Sequence, residues 1–150
     1  MTATNHALTG ATIGLLVGNP FIALPAALIS HFICDSLPHF DTQNPTMEKR
    51  PWFSKMLLTD ALGCITIVGV LAFNHPVHWL LAAICAFLAT SPDLMWINKY
   101  LRVRRKLPEQ PLKYLIMRLH VAVQWFARPI GAVVEVAWFI GVGTIAIALL

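Results

Sequence analysis

Charged residues are scarce in this chain of 150 residues. Asp, Glu, Lys and Arg together make up 12% of the sequence, whereas 57% is hydrophobic. Because a typical soluble domain carries about 25% charged residues, this composition argues against a soluble fold and for the membrane class. The length is enough for one domain and not for two. We therefore expect one membrane-embedded helical domain over residues 1–150.

Cysteine pairs and a targeting segment are also missing from the sequence. Cys34, Cys64 and Cys85 lie inside apolar runs and form no CxxC pair, so we interpret them as small buried side chains. The N-terminus MTATNHALTG lacks a basic n-region, which argues against a cleaved signal peptide. The net charge of +4 comes from clustered basic residues. We read this excess as membrane topology and expect no nucleic-acid partner.

Apolar runs predict an all-α bundle of about six helices that crosses the membrane several times. The predicted helices cover residues 4–18, 20–36, 54–74, 76–97, 112–127 and 129–150. The first two form an N-terminal helical hairpin, since GNP makes a turn and Pro20 suits the first turn of a helix. The third, fourth and last are the spanning candidates, since a bilayer needs about 20 apolar residues.

The fifth predicted helix differs from the others because it carries a polar stripe. Lys113, His120, Gln124 and Arg128 recur at helical spacing in otherwise apolar sequence. Such a pattern is typical of a helix that lies in the membrane interface or faces a polar cavity. The sequence alone leaves open whether this helix spans the membrane.

Basic residues predict the orientation. One group precedes the third helix and another follows the fourth: Lys49, Arg50 and Lys55, then Lys99, Arg102, Arg104, Arg105 and Lys106. Both groups lie on one side because the third and fourth helices form a hairpin. The positive-inside rule places that side in the cytoplasm, as expected for a multi-pass protein of the inner membrane.

Every predicted helix carries a titratable side chain, and these side chains lie at similar depths. A carboxylate within a spanning helix costs about 2.5–3.5 kcal/mol on insertion scales, so Asp60, Asp93 and Glu135 need partners. Counted from the nearest basic residue, all three lie about 8–10 Å inside the cytoplasmic boundary. The hairpin brings His6 and the end of the second helix to the same side. We therefore predict a polar cluster at one level.

The residue types in this cluster predict a metal site. His31 and Asp35 are four positions apart and share one helix face. Imidazole and carboxylate groups are suitable ligands for a divalent ion, most naturally Zn²⁺. With His6, Asp60 and Asp93 they give five donors from four helices, enough for one ion or for two bridged ions.

Further candidates surround this set of ligands. His39 follows Pro38 and is a sixth candidate ligand, while His120 and Glu135 are candidates for the catalytic acid or base. The basic run at 102–106 serves as a topological anchor or binds anionic head groups. Its cationic residues are Arg102, Arg104, Arg105 and Lys106.

Structural alternatives exist for the same residues. Asp60 would hydrogen-bond a neighbouring helix, and Asp93 would cap a terminal turn after Ser-Pro. His6 would cap the first helix, and His39 would be an ordinary loop residue. Glu135 would pair with an arginine, either Arg118 or Arg128, and His120 would belong only to the polar stripe.

Three short stretches resemble a known family. NHALTGATIG, SHFICDSLPHFD with its S-H-x-x-x-D core, and ATSPDLMW together resemble the bacterial membrane-bound metal-dependent hydrolases, which are themselves similar to zinc-dependent phospholipase C enzymes. The resemblance implies a helical membrane protein with a metal site that acts on phosphoesters. It maps the site to His6, His31, Asp35 and Asp93. The match is partial, since the Pro-Asp-x-Asp-His and H-R-G-x-T-H-S motifs of that family are absent here.

Three functions fit these patterns. The first is a metal-dependent hydrolase of a lipid-like phosphoester at the cytoplasmic face. The second is a proton or cation relay, whose groups would be distributed through the depth of the membrane. The third is a structural subunit whose carboxylates pair with partner helices. Confinement of the carboxylates to one level favours the hydrolase, and the oligomeric state stays open.

Overall fold

A computed structural model of the chain describes residues 1–40, 51–108, 111 and 114–150. Within these ranges the protein is all-helical, with six helices, as the sequence predicts. They are α1 (Ala3–Val17), α2 (Pro20–Ser36), α3 (Pro51–Asn74), α4 (Trp79–Arg104), α5 (Leu115–Val123) and α6 (Gly131–Ala148). Lys49, Arg50 and Lys113, named above, lie outside the described residues.

The N-terminal hairpin forms where the sequence predicts it. Gly18 ends α1 in the left-handed conformation, with φ of 64°, and its N–H donates to the carbonyl of Gly14. A side chain at this position would be strained, which explains the glycine. Asn19 then caps α2 by accepting from the N–H of Phe21, and Pro20 occupies the first position of the helix.

Among the described helices, α3, α4 and α6 are long and apolar enough to cross a membrane. Large apolar side chains on these helices point outward; Phe73, for example, is 87% exposed. In water such exposure would be unfavourable, whereas hydrocarbon tails accept it at no cost. The coarse prediction of a membrane protein therefore fits the structure.

Helix α1 lies at the centre, packed against α2, α3, α4 and α6. Its contact with α4 is so close that a Cβ atom on Gly10 would lie 2.3 Å from the carbonyl oxygen of Cys85. Small residues permit this approach of two backbones, the usual basis of helix association in membranes. On the α6 side, the indole N–H of Trp138 donates to Thr9 Oγ1 at 2.9 Å.

The fourth helix departs from the predicted continuous α-helix over 76–97. It begins at Trp79, tightens to a 3₁₀-helix over Ser91–Trp96 and continues as α-helix over Ile97–Arg104. Pro92 explains the change, because it supplies no N–H to the α-helical ladder. The 3₁₀ segment rotates the residues after Pro92, and Asp93 is the first of them.

The fifth helix is shorter than the predicted 112–127. It covers the nine residues Leu115–Val123, about 13 Å at 1.5 Å per residue, which is too short to cross a hydrocarbon core. It packs against α2. Of the predicted polar stripe, His120 lies within this helix, whereas Gln124 is its C-cap and Arg128 follows its end.

Candidate metal centre

The centre is built on the last turns of α2. His31 and Asp35 lie one turn apart and are both fully buried, with 0% exposure. Their facing atoms, His31 Nε2 and Asp35 Oδ2, are 3.4 Å apart. The i, i+4 spacing that predicts a shared helix face is thus realised as a direct contact.

Two further residues complete a group of four. His31, Asp35, Asp93 and His120 each offer one ligand atom, and these atoms all lie within 4.8 Å of one another. His120 Nε2 lies 2.9 Å from Asp35 Oδ2 and 3.4 Å from Asp93 Oδ1. Two imidazoles and two carboxylates form a donor set that suits a divalent ion, so this four-residue group is suited to hold a metal.

His31 is oriented for ligation by a backbone contact. Its Nδ1–H donates to the carbonyl oxygen of Ala89 at 2.8 Å. This tautomer leaves the lone pair of Nε2 directed towards the other members of the group. Metal-ligating histidines usually anchor their second nitrogen in this way, which fixes the ring and raises its basicity.

His120 is held differently, because its second nitrogen accepts a hydrogen bond. The indole N–H of Trp96 donates to Nδ1 at 2.8 Å. In the neutral ring the proton therefore lies on Nε2, which faces Asp35. This arrangement favours a proton-carrying role for His120, and ligation through Nε2 requires that proton to leave.

The electrostatics around His120 favour its charged form. Burial lowers the pKa of this imidazole, but hydrogen bonds to Asp35 and Asp93 outweigh burial and raise the pKa to about 9. The Trp96 contact opposes this shift, since an imidazolium has no lone pair for the indole N–H.

Gln124, one turn after His120, also donates to Asp35, with its Nε2 3.2 Å from Oδ2.

His6 contacts the same carboxylate from α1. Its Nε2 lies 3.0 Å from Asp35 Oδ1, and its ring stacks on His31 with a centroid distance of 4.1 Å. The other ring nitrogen, Nδ1, is buried without a hydrogen-bond partner in the described part of the chain. The amino group of Met1 also contacts Asp35 Oδ1. His6 is thus adjacent to the four-residue group through Asp35.

Asp60 lies outside the group and binds the N-terminus of α1. Its two carboxylate oxygens accept from the backbone N–H groups of Ala3 and Thr4, each at 2.7 Å. The hydroxyl of Thr4 donates to the same carboxylate. These N–H groups have no partner within their own helix, and the positive end of the helix dipole favours the negative charge. The contacts match the structural alternative for Asp60.

Glu135 also binds backbone N–H groups. It accepts from Thr2 at 3.1 Å and from Phe40 at 2.9 Å. His39 is likewise outside the group: its Nδ1–H donates to the Leu37 carbonyl at 2.9 Å, and its own carbonyl accepts from Arg128 N–H. These contacts give Glu135 and His39 a structural role in tying the segment after α2 to α1 and α6.

Three contacts of the centre are absent from the sequence-based prediction of the site. Trp96 follows Asp93 by three positions, and residues at that spacing eclipse one another in a 3₁₀-helix. Gln124 follows His120 by four positions and belongs to the polar stripe, which is the one signal that indicates it. The carbonyl of Ala89 carries no sequence signal, because any residue type supplies it.

The basic run lies after the 3₁₀ segment, at the same end of α4 as Asp93. The side chains of Arg104, Arg105 and Lys106 are exposed, whereas Arg102 is half-buried. The guanidinium of Arg102 donates to the carbonyl of Pro108 at 2.8 Å. Three exposed cations therefore stand at the end of α4, beyond the 3₁₀ segment that carries Asp93.

Compared with known proteins, the chain matches no family model, no curated protein and no solved structure. The resemblance to membrane-bound metal-dependent hydrolases, with the site residues it implies, stays a prediction.

Proposed function

We propose that this protein is a membrane-embedded metal-dependent hydrolase of a lipid-like phosphoester at the cytoplasmic face. The observation that carries the proposal is the four-residue group of His31, Asp35, Asp93 and His120. We further propose one Zn²⁺ ion per group as its cofactor, since two imidazoles and two carboxylates suit this ion. A divalent ion there would polarise a phosphoryl oxygen.

The protein residues supply the remaining parts of a hydrolytic site. His31 is held with its Nε2 directed inward, and His120 carries a proton between Asp35 and Asp93. Binding of an ion through His120 Nε2 would release this proton, so His120 would serve as the fourth ligand and not as a proton donor. Asp93 is the most accessible member of the group, with its side chain 33% exposed, so substrate reaches the centre from this side.

The distribution of titratable groups favours a hydrolase over a relay. In the described helices, the segments between the centre and the far end contain no Asp, Glu, His, Lys or Arg: residues 7–17, 20–30, 61–74, 79–92 and 136–148. Proton or cation transfer across the membrane needs groups through its whole depth. In the described helices the acidic and basic groups therefore lie at the end of the centre, while His75 and His78 occupy the turn at the opposite end.

Orientation and lipid binding complete the proposal. The cations at Arg104, Arg105 and Lys106 mark the cytoplasmic side and attract anionic head groups. Labelling of single cysteines tests the orientation, in a variant whose three native cysteines are replaced by serine. An impermeant reagent applied to intact cells should label position 75 and leave position 104 unlabelled. The opposite pattern would invert the topology.

Metal content and phosphate release test the function directly. Protein purified without chelator should contain about one divalent ion per chain by elemental analysis. Detergent-solubilised protein should release phosphate from amphiphilic phosphoesters, chelator should stop the release, and Zn²⁺ or Mn²⁺ should restore it. His78→Ala is the matched control, since His78 lies at the far end beside Gly18. Metal-free protein that gains no activity from added ions would remove the proposal.

A further inference from the structure

An apolar groove runs along the outside of the bundle, between α3 and α4. Helix α1 forms its floor at Ala7, and its walls include Cys64, Val68 and Gly69 on one side and Phe87 on the other. Its volume is about 410 Å³. The groove lies where α3 and α4 both pack on α1.

The groove begins beside the candidate metal centre. Its upper end is lined by Thr90, which precedes Asp93 by three residues at the start of the 3₁₀ segment. Side chains three apart eclipse in this geometry, so Thr90 and Asp93 lie on one side of the helix. The floor residue Ala7 directly follows His6. From Cys64 to Ala72 the groove follows α3 for about 12 Å, away from the centre.

We propose that this groove holds the hydrocarbon chain of the substrate, so that the substrate is a phosphoester with one chain in the groove. The inference rests on the proposed function and names its substrate class. The wall is apolar and lies within two helices that qualify as membrane spans. The polar centre lies beyond the Thr90 end of the groove, and the three exposed cations follow further along the chain, at the end of α4. An amphiphile with an anionic head and one apolar chain matches both parts at once.

Gly69 offers a way to fill the groove without disturbing the fold. A Cβ atom added at Gly69 meets nothing within 4 Å, and the same holds for Gly141. Both glycines are exposed and lie inside candidate membrane spans, on α3 and α6 respectively. Gly69→Leu places a side chain in the groove, whereas Gly141→Leu places the same side chain on a surface outside it. The two substitutions carry the same change in helix propensity, so they form a matched pair.

The first experiment measures phosphate release from octyl, dodecyl and hexadecyl phosphate. Wild-type protein and Gly141→Leu should prefer the longer chains. Gly69→Leu should lower the rate on hexadecyl phosphate by about tenfold, because a leucine displaces roughly two buried methylene groups, and should change octyl phosphate little. If both variants are active and have equal chain-length profiles, the groove does not bind the chain of the substrate, while the proposed hydrolase activity is retained.

The second experiment does not depend on hydrolysis. A hexadecyl phosphate bearing a diazirine on its chain is cross-linked to detergent-solubilised protein, and the adducts are mapped by mass spectrometry. Adducts should concentrate on residues 64–72, decrease with excess unlabelled hexadecyl phosphate and decrease in Gly69→Leu but not in Gly141→Leu. This labelling pattern without any phosphate release would support binding of the alkyl chain in the groove and would contradict the proposed hydrolase activity. Equal labelling of α3 and α6 would show that the chain of the substrate does not bind in the groove. A change from dimer to monomer in Gly69→Leu, with unaltered adducts, would show instead that a second copy of the protein occupies the groove.

Discussion

Two pairs of carboxylates lie near the start of α1, and the protein uses them in different ways. Asp35 and Asp93 face the imidazoles of His31 and His120. Asp60 and Glu135 instead face backbone N–H groups at the start of α1. All four look alike in the sequence, as single acidic residues in apolar helices. The two pairs differ in the groups that they contact, which are imidazoles for one pair and backbone N–H groups for the other.

The difference shows what a metal site requires. A backbone N–H is only a donor, so a carboxylate that accepts from several of them has its lone pairs occupied by hydrogen bonds that stabilise the fold. A histidine fixed by its far nitrogen still presents a lone pair or a proton to the carboxylate. Asp35 and Asp93 are therefore suited to share a cation with their imidazoles, whereas Asp60 and Glu135 hold the start of α1 in position. Substitutions in the first pair should therefore reduce metal binding, whereas substitutions in the second pair should reduce stability.

The largest effect is expected at Asp35. Asp35→Asn should reduce the bound metal to below about a tenth of an ion per chain and lower phosphate release by orders of magnitude, because a lost ligand disorganises the ion itself. Asp60→Asn should retain the metal. Elemental analysis and the phosphate assay measure both variants. If Asp35→Asn proves poorly folded, His31→Gln gives the same test from the other ligand type. Equal metal content in Asp35→Asn and Asp60→Asn would erase the distinction between the two pairs.

The next effect concerns Trp96, which contacts the metal group only through His120. Trp96→Phe removes the indole N–H that donates to His120 Nδ1 and keeps an aromatic ring in place. Loss of such a supporting hydrogen bond typically costs about 10–100-fold in metal affinity or activity. Metal titration and the phosphate assay should both detect it. Trp125→Phe is the control, since Trp125 is 70% exposed and its ring is tilted against that of Phe126. Identical behaviour of the two variants would deny Trp96 a role in the centre.

A smaller effect, and one on stability, is expected at Asp60. Asp60→Asn removes the charge that binds the Ala3 and Thr4 N–H groups. We expect the free energy of unfolding to fall by about 2 kcal/mol, the usual value of hydrogen bonds to a charged group. Unfolding in mixed detergent micelles measures the change, with Thr59→Val on the exposed neighbouring position as the control. An unaltered unfolding free energy in Asp60→Asn would contradict its assignment to the fold.

The helices themselves could be predicted from the sequence, because their signals are local. Hydrophobic length gave the spans, the GNP turn gave the hairpin, and the spacing of His31 and Asp35 gave a shared face. Each of these depends on residues within a few positions of one another. The thickness of a bilayer and the pitch of a helix then leave little freedom.

The division of the carboxylates could not be predicted, because it depends on how each helix is rotated about its axis. In a soluble protein the polar face reveals this rotation. Here both the lipid and the protein interior are apolar, so the pattern of α3 and α6 does not indicate which face is inside. The metal-ligand role predicted for Asp60 and the catalytic role predicted for Glu135 therefore depended on a rotation that the sequence does not encode. The contact of Trp96 with His120 depends similarly on the 3₁₀ segment that Pro92 causes.

The smallest expected effect is the pH dependence of metal binding, which arises on the Asp35 and Asp93 side of the comparison. His120 carries a proton between these carboxylates, and hydrogen bonds to them outweigh burial and hold its pKa near 9. Below that pH the proton competes with the metal, so binding releases it and the apparent association constant rises with pH. One released proton gives at most about tenfold per pH unit, and the rise should level off above pH 9. Competition of Co²⁺ against a fluorescent chelator between about pH 6.5 and 8.5 measures the slope. His120→Gln should flatten it and His78→Gln should leave it unchanged. An equal slope in His120→Gln would show that another group carries the competing proton.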